Sequence, residues 1–269
     1  RTKVALRKWK VIQLTSNIGH RLRTRNGTPE WESMSMFIDN HVRADDPRMA
    51  GVYSHFQRNL EDICKAAYHN GADTIVCTVG SNLRDCAPFA SEHKAGLPAA
   101  ELEQWTAAYQ AGIALAEAGN DADALELFRQ AEAIDPEYAE LRFRMGQCYL
   151  ALGQAALAHE AFVAARDLDV LRFRADTRIN AVVRDVVASR QDQKVHLVDV
   201  ATAMAQPDLA GQPNIAGSPF FYEHVHMTFE GNYEVAAAIF PEVVNLLPEA
   251  IRSQSPTPAV PSLARCAEA

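Results

Sequence analysis

Two histidines and a carboxylate fall within four residues in the segment FFYEHVHMTFEGNY, residues 220–233. Glu223 and His226 are three residues apart, a spacing that lets the carboxylate hold the imidazole in one tautomer while the other ring nitrogen faces a substrate. We therefore predict that His226 is a catalytic base and that Glu223 orients it. Two alternatives stay open for His224 and His226: a zinc site, if a further ligand came from elsewhere in the fold, and a purely structural role.

A base of this kind serves a nucleophile, and the segment VGSNLRD at residues 79–85 offers one. Ser81 follows a strand-like stretch, with Asn82 beside it as a donor for an oxyanion. The alternative is a turn at a strand end, in which both side chains cap backbone groups. Arg84 is a candidate for a substrate contact, or for an ion pair with its neighbour Asp85. No metal ion and no other cofactor is expected.

Helices and strands that alternate along the chain must position these residues. Helices are predicted over residues 1–25 and from Thr28, and a further helix ends at Asn70-Gly71. An apolar, β-rich stretch at residues 74–79 follows and is typical of a strand buried in a parallel sheet. Residues 1–96 are therefore predicted to form the first part of an α/β domain.

The same order of elements returns after residue 172. The segment ADTRINAVVRDVVAS predicts a helix, and the segment KVHLVDV predicts a second buried strand that ends at Asp199, where α/β folds place functional groups. Residues 173–250 are therefore predicted to complete the α/β domain and its parallel sheet. The Ser-, Pro- and Ala-rich tail, residues 251–269, is expected to be disordered.

Residues 97–172 differ from both flanks, because they are rich in Ala, Leu and Glu and repeat with a period of 34 residues. Small residues recur where paired helices approach closely, and a Phe fills the gap between the units. The pattern resembles the tetratricopeptide repeat, which implies two helical hairpins and a protein or peptide partner. Two repeats are too few to bury a core alone, so we expect them to pack on the α/β domain. The equivalent positions are Gly112 and Gly146, Gly119 and Gly153, Ala124 and Ala158, Phe128 and Phe162, Ala131 and Ala165, and Asp135 and Asp169.

The E-x-x-H block and the Glu230-Gly231 pair that follows it resemble the last conserved block of the SGNH, or GDSL-type, ester hydrolases. The segments VGSNLRDCAPF, RFRADTRIN and FYEHVHMTFEGNY, with the repeats after the first, are similar in order to bacterial SGNH-like proteins with a tetratricopeptide insertion. The resemblance covers residues from about 30 to 250. It implies a flavodoxin-like parallel sheet as the fold. As the activity, it implies cleavage of an acyl or acetyl ester in a small acylated substrate.

The chain departs from that family at the nucleophile, because the sequence contains no Gly-Asp-Ser. In addition, Glu223 stands where the family carries Asp. The resemblance implies that the nucleophile and the oxyanion hole belong to a part of the protein before Arg1, so that the chain is inactive by itself. It also requires Glu223 and His226 to lie near Asn82, with the His226 ring outside the core. The alternative function is an interaction module in which the repeats bind a partner and the α/β part is a non-catalytic scaffold.

Composition narrows the range of partners. The net charge is −8 and no long run of Lys or Arg occurs, which argues against nucleic acid as the main partner. Five cysteines without a C-x-x-C pair argue against a disulfide framework and a structural zinc site. No apolar run reaches about 18 residues and no signal peptide is visible, so we expect no membrane span and favour the cytoplasm.

Overall fold

The computed structural model describes residues 40–205, 215–254 and 259–268. The helices predicted upstream of residue 40 lie outside the described residues. From His41 onwards the described residues belong to one compact unit. None of the helices in these three ranges is both long enough and apolar enough to cross a membrane.

The elements are, in chain order, α1 (Arg48–His69), β1 (Thr74–Cys77), α2 (Ala99–Glu117), α3 (Asp121–Ile134), α4 (Ala139–Ala151), α5 (Ala155–Leu168), α6 (Thr177–Ala188), a 3-10 turn (Gln191–Gln193), β2 (Val195–Val198), α7 (Val200–Ala203), α8 (Phe229–Leu246), α9 (Glu249–Arg252) and α10 (Leu263–Ala267).

Two parallel strands form the sheet in the described part of the chain, with Thr74 opposite Val195. The predicted parallel pairing is confirmed, but a sheet of two strands does not show an SGNH-like fold. The first strand ends at Cys77, two residues earlier than the predicted end at residue 79. The reason is that the backbone N–H and carbonyl of Val79 bond to the side-chain amide of Asn180, at 2.8 and 3.0 Å, and do not continue the strand ladder.

Helices cover both faces of this sheet, because neighbouring strand residues point to opposite sides. On one side, Val195 packs in a buried cluster with Cys64 of α1 and Val186 of α6. On the other side, Val198 packs with Phe221 and with apolar residues of α8. The loops that follow the two strands are therefore left at the carboxyl edge of the sheet, where parallel strands present polar groups.

The predicted repeats form two helical hairpins, α2 with α3 and α4 with α5. A Cβ atom on Gly112 would lie 2.6 Å from the Phe128 ring, and one on Gly146 would lie 2.8 Å from the Phe162 ring, so both glycines allow the close helix contact. The turn glycine of the second hairpin, Gly153, has a φ of +71°, a conformation that other residues rarely adopt. The period of 34 residues therefore marks structurally equivalent positions.

Two aspartates at equivalent repeat positions bind the loop that leads from β1 to α2. Asp135 is completely buried and accepts a hydrogen bond from the backbone N–H of Lys94 at 3.1 Å. Asp169 accepts from the N–H groups of Phe89 at 2.9 Å and Ala90 at 3.2 Å. Each repeat thus contributes one buried carboxylate that holds this loop, and satisfied carboxylates of this kind are costly to remove.

Part of the tail that was expected to be disordered is helical, because residues 263–267 form α10. The hydroxyl of Ser262 accepts a hydrogen bond from the N–H of Arg265 at 3.4 Å at the start of this helix. The hydroxyl of Tyr233 in α8 donates to the carbonyl of Pro261 at 2.9 Å. Composition alone does not reveal either contact, and the second one joins the tail to α8.

Candidate functional site

Glu223 contacts both histidines of the E-x-x-H block. One carboxylate oxygen accepts the backbone N–H of His226 and the other accepts the backbone N–H of His224, each at 2.7 Å. The same two oxygens also contact the Nδ1 atoms of the respective rings. This arrangement places the ring proton on Nδ1 and leaves Nε2 of each histidine as the basic nitrogen.

A tight loop produces this arrangement. The N–H of Tyr222 donates to the carbonyl of His226 at 2.8 Å, which brings the two ends of the E-x-x-H block together. Thr228 then begins α8, since its hydroxyl accepts the N–H of Gly231 at 3.1 Å. A Cβ atom on Gly231 would lie only 2.1 Å from the carbonyl oxygen of Phe220, so the loop can meet the helix this closely only with glycine at that position.

The two histidine rings differ in exposure. The His224 side chain is 15% exposed, whereas that of His226 is 78% exposed. The His224 ring lies edge-on to Phe89, with ring centres 5.1 Å apart. Burial, followed by the nearby His226 and Arg174, lowers the pKa of His224, so this ring is uncharged at neutral pH. His226 is therefore the ring that a molecule in solution can reach.

Asn82 joins the loop after β1 to the E-x-x-H block. Its backbone N–H donates to the carbonyl of His224 at 3.0 Å, and its side-chain amide donates to the carbonyl of Glu223 at 2.9 Å. The side-chain oxygen accepts the N–H of Asp85 at 2.9 Å. The structure thus brings Asn82 and Glu223 together, and it directs the donor groups of Asn82 to the protein's own carbonyl oxygens.

Ser81 and Arg84 occupy different surroundings. Ser81 is 3% exposed, and its hydroxyl has no hydrogen-bond partner among the described residues, including either histidine of the block. Arg84 forms an ion pair with Asp85, with Nη2 and Oδ2 2.9 Å apart. Asp85 also accepts the N–H of Ser218 at 2.6 Å. The ion pair predicted as one alternative for Arg84 is therefore present, and it fixes the loop against the segment before the E-x-x-H block.

Arg174 is a central residue of this region that the sequence did not single out. It is 7% exposed and donates from Nη1 to the carbonyls of Asn82 at 2.9 Å and Cys86 at 2.8 Å. Its Nη2 pairs with Asp169 at 3.2 Å. The buried guanidinium therefore connects the closing aspartate of the second repeat to the loop that holds Glu223 and His224. The sequence signal that could have pointed to this region is that Asp169 and Asp135 occupy equivalent positions in the two repeats.

Asp199, at the carboxyl end of β2, has a supporting role. It forms a two-point ion pair with Arg184, with Nε and Oδ2 2.8 Å apart, and accepts the hydroxyl of Thr78 at 2.7 Å. Burial raises the pKa of Asp199, but Arg184 and the hydrogen bonds outweigh it and bring the value to about 2. Nowhere in residues 40–205, 215–254 and 259–268 do three or more His, Cys, Asp or Glu side chains form a group that could hold a metal ion.

Comparison with known proteins supports the repeat prediction. Residues 115–172 match the family model described as tetratricopeptide repeat. This stretch of the chain is a tetratricopeptide repeat segment. No curated protein and no solved structure matches the chain. The repeat prediction is therefore confirmed over these residues, and the resemblance to ester hydrolases receives no support from the comparisons.

Proposed function

We propose that this protein is a protein-interaction module, in which the tetratricopeptide repeats bind a partner and the α/β part supports them. The observation that carries the proposal is the family match over residues 115–172, together with the two helical hairpins. Helical repeats of this kind present extended surfaces and suit protein contacts. Buried aspartates and Arg174 hold the repeats on the α/β part, which gives them a fixed orientation.

The turn between α4 and α5 is the contact surface we assign to the partner. Three leucines around it are exposed: Leu150 by 37%, Leu152 by 40% and Leu157 by 44%. Leu150 and Leu152 lie at the end of α4 and Leu157 lies at the start of α5, so all three belong to the same end of the hairpin. Apolar side chains left exposed at one end of a hairpin favour an interaction surface there, because leaving them in water is unfavourable. We name this set the leucine turn.

The first repeat lacks these leucines, although its backbone is equivalent. The residues 34 positions earlier are Ala116, Ala118 and Asp123. No Asp, Glu, Lys or Arg occurs between Arg144 and Glu160, whereas the corresponding turn of the first repeat carries several acidic residues. The chain as a whole has a net charge of −8, so an uncharged turn with three leucines differs from the rest of its surface. Such a turn favours a partner that offers an apolar segment.

The leucine turn can be tested by giving it the residues of the first repeat. The triple variant Leu150→Ala, Leu152→Ala, Leu157→Asp should keep the fold, because all three side chains are exposed, and should weaken partner binding at least tenfold. The partner is identified by cross-linking with the wild-type protein, purified, and titrated calorimetrically. Leu102→Ala, at a leucine of similar exposure on α2, is the matched control and should bind normally. Unchanged affinity in the triple variant would refute the assignment.

The second candidate function is ester hydrolysis, which one contact favours. The carboxylate of Glu223 holds Nδ1 of the exposed His226, as a base and its orienting carboxylate require. Ser81 is a poor nucleophile for this base, because it is buried and makes no hydrogen bond to the ring. The reaction therefore depends on a serine from a Gly-Asp-Ser segment, which this sequence does not contain.

Hydrolysis of a short-chain nitrophenyl ester tests this second candidate in a form of the protein that carries such a serine. We expect His226→Ala to lower the rate about 100-fold or more, since general bases contribute about 10²–10⁴-fold. His55→Ala, which changes an exposed histidine on helix α1, serves as the control and should keep the full rate. Equal rates for the wild type and His226→Ala would exclude His226 as the base.

A further inference from the structure

A cleft of about 360 Å³ lies between the second repeat and the α/β part. Helix α5 contributes Arg166 and Val163 to its lining, and helix α6 contributes Arg184. Its volume falls within the usual range for small-molecule sites, about 300–1,000 Å³, and such sites prefer boundaries between substructures. The cleft is separate from the leucine turn and from the exposed ring of His226, neither of which lines it.

Two guanidinium groups line the cleft, and no carboxylate lines it. Arg166 bonds to Asp167 through Nε at 2.9 Å and Nη2 at 2.7 Å, and Arg184 bonds to Asp199 through the same two nitrogens. In both arginines the remaining Nη1 group has no acceptor among the described residues. The two aspartates hold the guanidiniums in place without lining the cleft, so each arginine keeps donors for a ligand.

Two hydroxyl groups add further donors. The hydroxyl of Thr177 accepts from Arg166 at 2.8 Å, and its own hydrogen has no acceptor among the described residues. The side chain of Thr202, at the rim of the cleft, likewise donates to none of them. The third basic side chain, His159, is uncharged at neutral pH because burial and the nearby Arg166 lower its pKa.

We propose that this cleft binds a small organic oxyanion, a phosphate or carboxylate carried on an apolar group. The two arginines and two threonines match the acceptor oxygens of such an anion, and arginine recognises both classes through paired donors. Leu83 and Val163 supply an apolar wall for the rest of the molecule. The site is independent of the proposed partner binding, so either proposal can fail alone.

Calorimetric titration of the protein with phenyl phosphate, benzoate and inorganic phosphate, at constant ionic strength, tests the cleft. We expect at least one of the two organic anions to bind more tightly than inorganic phosphate. A stronger response to phenyl phosphate assigns the phosphate class, and a stronger response to benzoate assigns the carboxylate class. Absence of binding by all three at millimolar concentration would overturn the proposal.

Three variants separate the cleft from the rest of the surface. Arg184→Gln should weaken binding of the better ligand at least tenfold, whereas Arg178→Gln, on the same helix but outside the lining, should leave it unchanged. Thr202→Asp should also weaken binding at least tenfold by repulsion. Its side chain is exposed, so the substitution should retain the fold. Wild-type affinity in Arg184→Gln and Thr202→Asp would overturn the proposal.

Discussion

Replacing Phe162 with alanine is expected to lower the free energy of unfolding by about 3–5 kcal/mol. The Phe162 side chain is 1% exposed, and its ring centre lies 5.2 Å from that of Phe143. On its other side the ring lies against Gly146, which has no side chain to fill the vacated space. The cavity can close only if the helices α4 and α5 move, so the cost lies in the upper part of the range for large-to-small changes.

Chemical denaturation followed by circular dichroism measures this loss. Leu157→Ala is the matched control, because Leu157 lies on the same helix and is 44% exposed, and it should change the free energy of unfolding by about 0.5 kcal/mol or less. The denaturant dependence should stay the same in both variants if the unfolded state is unaffected. A loss below about 1 kcal/mol for Phe162→Ala would contradict the packing described for the repeats.

The repeats were predictable from the sequence because their contacts recur at a fixed separation. Gly112 and Phe128 meet within one hairpin, and the same pair of residue types meets again at Gly146 and Phe162. Each contact spans only 16 residues, and a small residue opposite a large one is a pattern that a single sequence displays. Because the same pair of residue types recurs in both repeats, few structures other than paired helices fit the sequence.

The extent of the sheet could not be predicted in the same way. The helix and strand that precede Thr78 were recognisable from local patterns, but the end of β1 depends on Asn180, which lies 101 residues further along the chain. Nor does an apolar strand pattern specify how many neighbours the strand has. The implied SGNH-like sheet rested on a resemblance, and the two strands of the described residues do not show it.

The same distinction applies to the candidate site, where contacts between residues close in sequence were predictable and contacts between distant residues were not. The contact between Glu223 and His226 was predictable because three residues separate them, although the equal contact with His224 was not anticipated. Asn82 was proposed as a donor to a substrate, yet its amide donors are directed to backbone oxygens about 140 residues away. The catalytic roles of Glu223 and His226 stay predictions, since the geometry is equally suited to holding a loop together.

Replacing Arg174 is the second change that we expect to have a large effect on stability, because its buried guanidinium joins the repeats to the loop of Asn82. Arg174→Met should lower the free energy of unfolding by about 3–5 kcal/mol, the usual cost of leaving one charge of a buried pair without its partner. Asp169 would be that charge, since it pairs with Arg174 and both side chains are almost completely buried. The denaturation experiment described for Phe162→Ala measures this change as well.

A double variant shows whether the loss comes from the unpaired charge or from the connection itself. In Arg174→Met with Asp169→Asn, this pair leaves no buried charge, so the part of the loss that comes from the unpaired carboxylate should return. The part that does not return is the acceptor oxygen that the N–H of Phe89 or Ala90 loses when the carboxylate becomes an amide. The carbonyls of Asn82 and Cys86 still lack their donor, and hydrogen exchange at the backbone amides of Asn82 and His226 should therefore stay faster than in the wild type. Arg178→Met, on the neighbouring helix, should change neither quantity. If the double variant recovers wild-type exchange rates, Arg174 contributes charge balance alone, and the E-x-x-H loop is held independently of the repeats.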